Sequence, residues 1–167
     1  YIIVPFIRII MNISILGCGY VGLVTGACFS DLGNQVICYD TDKSKITSLK
    51  KSKVPFYEPG LDELIFKNIQ KNKIVFTSNI KECLGKSDLY FVCVGTPQMK
   101  TGEPDLTYIK KCIESIIAEI SIDAPNKKHI FIKSTVPPGT TQYFQQLIEN
   151  NNLSSHVSIS SNPEFLK

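Results

Sequence analysis

Charge is sparse in this 167-residue chain: Lys, Arg, Asp and Glu make up 20% of it, and 18 basic against 15 acidic residues leave a net charge of +3. So mild and scattered an excess supplies no nucleic-acid surface, although it suits an anionic small molecule. Histidine is scarce as well, with only His129 and His156, and there is no Cys-x-x-Cys pair, so the usual basis of a metal site is missing. No long apolar run is present. The opening YIIVPFIRII is broken by Pro5 and Arg8 well short of the ~20 residues a bilayer span needs, and no small-residue cleavage site follows. No membrane partner is expected. The chain also has no internal repeat, linker or low-complexity segment, which leaves one domain of ordinary size.

What is present is a core. Hydrophobic residues make up 43% of the chain, and six cysteines (Cys18, Cys28, Cys38, Cys83, Cys93 and Cys112) are spread through apolar segments. They read as reduced thiols, small hydrophobes in a cytoplasmic protein. Met11 stands just before a clean strand pattern. It is expected to be the natural start, with residues 1–10 an upstream extension and residues 11–167 the functional domain.

From Met11 onward short apolar runs alternate with helical patterns, as a parallel sheet requires, because each crossover must travel back along the sheet. The strands expected are Asn12–Leu16, Gln35–Tyr39, Ile74–Thr77, Leu89–Val94, His129–Ile132 and Val157–Ser160. Helices are expected at Val21–Leu32, Asp42–Lys51, Leu61–Asn72, Ile80–Lys86, Leu106–Ile120 and Thr140–Asn150. In the fifth, Leu106, Ile109, Ile113, Ile116, Ile117 and Ile120 recur at three- and four-residue spacing, and Asp105 is placed to cap the start. The fold class that follows is α/β, a doubly wound parallel sheet with helices on both faces. Its common order 3-2-1-4-5-6 puts a ligand crevice at the carboxyl ends of strands one and four.

At that point the sequence reads ISILGCGYVGLVTGA, with Gly17, Gly19 and Gly22 directly after strand one and at the opening of the first helix. Gly17 serves a tight turn, Gly19 a close backbone approach to a pyrophosphate and Gly22 close helix–strand packing, while the helix N-terminus offers free N–H groups and partial positive charge. Strand two runs into Asp40, 23 residues beyond Gly17, where a carboxylate can accept hydrogen bonds from both hydroxyls of an adenosine ribose. The same carboxylate repels a 2′-phosphate, so the cofactor expected is NAD rather than NADP, with Lys43 and Lys45 nearby as the opposing consideration.

Four more stretches bear on the crevice: YEPGL (Tyr57–Leu61), VGTP (Val94–Pro97), KSTVPPGTT (Lys133–Thr141) and SNPEFLK (Ser161–Lys167). The last three each follow an expected strand at its carboxyl end, where such a sheet collects functional groups. Gly95 lets the backbone approach a cofactor, and Ser134 and Thr135 offer hydroxyls beside a Pro137-Pro138-Gly139 turn. Taken in order from Met11 to Lys167, these motifs resemble the UDP-glucose 6-dehydrogenases, within the nucleotide-sugar dehydrogenases that also oxidise GDP-mannose and UDP-N-acetylmannosamine.

The resemblance implies a Rossmann-like domain and a twofold oxidation of UDP-glucose to UDP-glucuronate, with two NAD reduced and a cysteine thioester formed on the way. It gives Gly17, Gly19, Tyr20, Val21 and Gly22 the pyrophosphate, and Asp40 the ribose with Lys45 beside it. Val94, Gly95, Thr96 and Pro97 would line the cofactor together with Ser134 and Thr135, while Tyr57, Glu58, Pro59 and Gly60 would cover the cleft. Thr135 and Glu164 become catalytic by the same match, holding and activating the hydrolytic water. Glu164, Phe165, Leu166 and Lys167 become substrate contacts.

The family's nucleophilic cysteine lies in a later glycine-rich segment, so no cysteine here is promoted to that role, and His129 and His156 are read as surface or strand-entry residues with no catalytic role. The chain alone is then expected to be inactive and to need the carboxyl-terminal domain for UDP-glucose; full-length members of the family are homodimers. Two alternatives stay open: another nucleotide sugar, UDP-N-acetylmannosamine or GDP-mannose, or a stand-alone NAD-binding module without turnover.

Overall fold

The computed structural model describes residues 10–121 and 126–164. Most of the expected upstream extension lies outside them, as do the expected substrate contacts Phe165, Leu166 and Lys167.

The described residues form β1 (Asn12–Leu16), α1 (Tyr20–Asp31), β2 (Gln35–Tyr39), α2 (Lys43–Leu49), α3 (Leu61–Gln70), β3 (Ile74–Thr77), β4 (Leu89–Val92), α4 (Thr107–Glu119), β5 (Lys128–Ile132), α5 (Thr140–Asn150) and β6 (Val157–Ser161). The strands make one sheet in the order β3-β2-β1-β4-β5-β6, every pairing parallel. The central strand explains the near-continuous hydrophobic runs: both its faces are covered, so both parities must be buried. Ile13 and Ile15 pack with Leu23 and Ala27 of α1, Ile46 of α2 and Ile65 of α3. Leu16 turns to the opposite face, where Tyr90, Val92, Ile109, Ile113, Phe144 and Ile148 bring in α4 and α5. Ser14 is buried on β1, and its polarity is absorbed by the Cys83 carbonyl at 3.1 Å and the Ser87 hydroxyl at 2.7 Å.

The isoleucine stripe of α4 faces the core as its spacing requires, with Ile109, Cys112, Ile113, Ile116 and Ile117 all buried. Its start differs from expectation. Leu106 occupies the N-cap position, and Asp105 reaches past it to accept the Thr107 N–H at 2.9 Å.

Two further expectations need correction. The helix expected at Ile80–Lys86 is a single 3₁₀ turn, Ile80–Glu82, because Gly85 at φ +76° takes the chain out of helical space. Strand four stops at Val92 rather than Val94. Its partner β1 has ended at Leu16, and past that point Cys93 packs its backbone against the turn at Gly17. His129 stands at the entry of β5, as its second residue, with its Nδ1 hydrogen-bonded to the Ser158 hydroxyl on β6.

Candidate functional site

β1 ends because the next residue cannot continue it. Gly17 sits at φ +105°, donates its N–H to the Tyr39 carbonyl at 2.8 Å, and would put a Cβ 2.7 Å from the Cys93 carbonyl oxygen. A Cβ on Gly22 would collide with the Gly17 carbonyl, so the helix rests directly on the turn. Gly19 is different, because a Cβ there would meet nothing within 4 Å. It is the N-cap of α1 and contributes no side-chain cap, so first-turn amide groups of α1, where Tyr20, Val21 and Gly22 lie, are left for an outside acceptor.

Asp40 stands beside this turn at the end of β2. Its Oδ2 accepts the Cys18 N–H at 2.9 Å and the Lys45 ammonium at 2.7 Å, and its Oδ1 accepts the Asp42 N–H at 3.0 Å. Partial burial pushes this carboxyl upward, but the bonds from Lys45, Asp42 and Cys18 outweigh it and hold Asp40 below the ordinary carboxylate value. Asp42 supports the arrangement by capping α2, accepting from Ser44 N and Lys45 N at 2.9 and 3.0 Å. The cap fixes the backbone that aims Lys45 back at Asp40.

A cavity of about 600 Å³ opens between these groups and α4. Gly17, Gly19, Asp40, Lys45, Val94, Gly95 and Pro97 line it, all of them residues the motifs single out. Tyr39, Thr41, Ile80, Cys93, Tyr108, Lys111, Cys112, Glu114 and Ser115 line it as well, and only the folded chain identifies them as lining residues. The open Gly19 cradle, the carboxylate beside it and the volume are a fit for a dinucleotide.

Thr96 donates to the Thr135 carbonyl at 3.4 Å, and Ser134 donates to the Val94 carbonyl at 2.6 Å, so the loops after β4 and β5 are joined. The Ser134 hydroxyl is thereby engaged with protein, and Thr135 takes part in this contact through its backbone carbonyl, which accepts from Thr96. Glu164 lies farther along, 3.9 Å from the Lys133 ammonium, which also donates to Asn162 Oδ1 at 3.2 Å. Lys133 has only 14% of its side chain exposed, and the motif reading gave it no role. Glu58 accepts a hydrogen bond from the Tyr20 hydroxyl at 2.6 Å, and the Tyr20 ring lies 5.1 Å from that of Phe56, which ties the Tyr57–Gly60 stretch to the phosphate turn. That bond to Glu58 raises the Tyr20 phenol above its ordinary value.

All six cysteines are free. Burial pushes Cys83 and Cys93 up to about 12 and Cys112 up to about 11, so these are protonated thiols at neutral pH and poor nucleophiles. Among the described residues, no group of three or more His, Cys, Asp or Glu side chains is arranged to hold a metal, and no helix is long and apolar enough to cross a membrane.

Residues 11–167 match the model of the UDP-glucose/GDP-mannose dehydrogenase family, NAD binding domain. The chain belongs to that family. Within it, this NAD-binding domain is 43% identical over 157 residues to the UDP-glucose 6-dehydrogenase TuaD of Bacillus subtilis, a match covering 93% of the chain and 33% of that protein. A crystal structure of a ternary complex of GDP-mannose dehydrogenase from Pseudomonas aeruginosa superposes with a TM-score of 0.84 at 36% identity, covering 94% of the chain and 37% of that structure. The UDP-glucose dehydrogenase of Pyrobaculum islandicum gives the same TM-score at 31% identity, covering 98% of this domain and 38% of its own chain. The chain thus spans about a third of the length of the curated relatives it matches.

Proposed function

We propose that this domain holds NAD across the carboxyl ends of β1, β2 and β4 as the cofactor half of a UDP-glucose 6-dehydrogenase. The pyrophosphate lies on the α1 N-terminus at Gly19, Tyr20, Val21 and Gly22, and the adenosine ribose lies at Asp40 beside Lys45. Val94, Gly95, Thr96, Pro97 and Thr135 run along the cofactor toward its nicotinamide end, with Ser134 holding the two loops together. The observation that carries this reading is the empty space over Gly19 at an uncapped helix start, facing a cavity that also holds the Asp40 carboxylate.

Bound there, NAD would accept hydride from C6 of the sugar in two successive oxidations. This chain's own part is to fix the cofactor, keep water off its pyrophosphate face and present Thr135 and Glu164 toward the reacting end, with Lys133 as the charge partner of Glu164. Glu164 then takes a proton from the water that hydrolyses a thioester, the thiol being supplied by residues beyond this domain. Substrate contacts at Glu164, Phe165, Leu166 and Lys167, a homodimeric full-length enzyme and a cytoplasmic setting complete the proposal. The free state of all six cysteines supports that setting.

Calorimetric titration tests the reading. The domain should bind NAD, and Asp40→Ala should weaken binding by about 1–3 kcal/mol, the range for lost hydrogen bonds to a charged group. Unchanged affinity would remove Asp40 from the ribose site. The domain alone should produce no NADH from UDP-glucose and NAD, and sustained turnover would refute the assigned division of labour. A GDP-mannose enzyme is the second reading, favoured by the 36% identity to the Pseudomonas structure. Assaying the full-length protein with both sugars separates the two.

A further inference from the structure

Asp40 is not a bare carboxylate. Lys45 approaches its Oδ2 at 2.7 Å, and the two side chains are largely covered, 27% and 11% exposed. Both line the cavity at the place assigned to the adenosine ribose. A lone acid at this position turns away a 2′-phosphate by charge repulsion, but an acid paired this closely with an ammonium presents no net charge. Exclusion by charge is therefore blunted. Lys45 is also a cation held beside the carboxylate assigned to the ribose, its backbone fixed by the Asp42 cap of α2 and its ammonium bonded to Asp40 Oδ2.

We infer that the Asp40–Lys45 pair sets how sharply this domain tells NAD from NADP, and that Lys45 is a latent anchor for a 2′-phosphate, released when the Asp40 carboxylate is removed. This rests on the ribose lying at Asp40. In the wild-type domain Lys45 moderates discrimination. It shares its charge between Asp40 and any phosphate brought near, so NADP is disfavoured chiefly because the carboxylate fills the space and holds the ammonium. Without Lys45 the uncompensated carboxylate repels the phosphate outright. With Asp40 made neutral, Lys45 turns to the phosphate and an amide at position 40 can still accept the Cys18 N–H.

The test is fluorescence titration of the domain with NADH and NADPH, read as the ratio of the NADPH to the NADH dissociation constant. Asp40→Asn should lower the ratio about tenfold or more, the scale of one close charge–charge interaction in a partly solvated site. Lys45→Met, which leaves Asp40 in place, should raise the ratio by a similar factor and make it fall as salt screens the repulsion. Adding Lys45→Met to Asp40→Asn should cancel the gain in NADPH binding. Lys43→Met, the same charge change two residues away on another face of α2, should leave the ratio where it was.

An unmoved ratio in Lys45→Met, or a double variant that takes NADPH as well as Asp40→Asn does, overturns the proposal while leaving NAD binding intact. A larger effect from Lys43→Met than from Lys45→Met also overturns it. Binding of neither cofactor by the folded wild-type domain overturns the ribose placement and this proposal together. Lys45→Met sits on a partly exposed helix position, so it keeps the test decisive even if Asp40→Asn fails to fold.

Discussion

At the scale of single residues the phosphate turn separates into parts with different physics. Gly22 is required by packing, since any Cβ strikes the Gly17 carbonyl inside the protein itself. Gly22→Ala should cost about 1–3 kcal/mol by overpacking, visible in urea denaturation without any ligand present. Gly19→Ala meets no such obstacle, so stability should hold while NAD affinity falls, and equal losses in both measurements would contradict this division. Asp40 carries a pH dependence whose sign follows from its lowered value. The carboxylate's bonds to Lys45, Asp42 N and Cys18 N contribute fully above the ordinary value of 3.8 and are lost as pH falls through the lower folded value. Asp40→Asn should therefore flatten the acid limb of a stability-against-pH curve measured below about pH 4. The glycines and Asp40 were legible in the sequence because each is a local demand of backbone or charge. Gly26 was not. A Cβ there would lie 2.8 Å from Cys38 Sγ, a contact that exists only once α1 lies on β2.

At the scale of elements, α4 is the case where periodicity carried furthest. Its stripe is buried with Ile113 fully covered, and Ile113→Ala should cost about 2–5 kcal/mol, read from a shifted denaturation midpoint at unchanged slope. The turn at Ile80 shows where the same signal misleads. Ile80 and Leu84 are four apart and both touch the core, and Leu84 N even donates to the Ile80 carbonyl at 3.2 Å, so the spacing is genuine. Two apolar contacts nevertheless fit in one turn. Gly85, which reads as helix-tolerant, adopts a left-handed conformation and ends it. Strand four failed to extend for a different reason: its apolar run passes through Val94, but strand length is set by neighbours, and β1 offers no partner past Leu16.

At the scale of the whole molecule, alternation gave the parallel sheet, and the strand order found is the common one for a doubly wound sheet, since right-handed crossovers leave few arrangements for six parallel strands. Half of the candidate site followed with it, namely the groups at strand ends. The facing wall from α4, with Tyr108, Lys111, Glu114 and Ser115, did not, since those side chains reach the cavity only through the way the helix crosses the sheet. A ligand bridging both walls should stabilise the fold as a unit. NAD at a hundredfold excess over its dissociation constant should add about 2.7 kcal/mol and raise the melting temperature in differential scanning calorimetry. No rise at that concentration would mean that NAD does not bind the folded domain in preference to the unfolded chain.

The Ser134 hydroxyl bonded to the Val94 carbonyl couples two segments that the sequence separates by forty positions. One flanks the cavity assigned to the dinucleotide, and the other leads into the residue matched to hydrolysis. Under the proposed function, a tie of that kind would make redox chemistry and water attack share one frame, so that a shift imposed on either loop would be felt by the other.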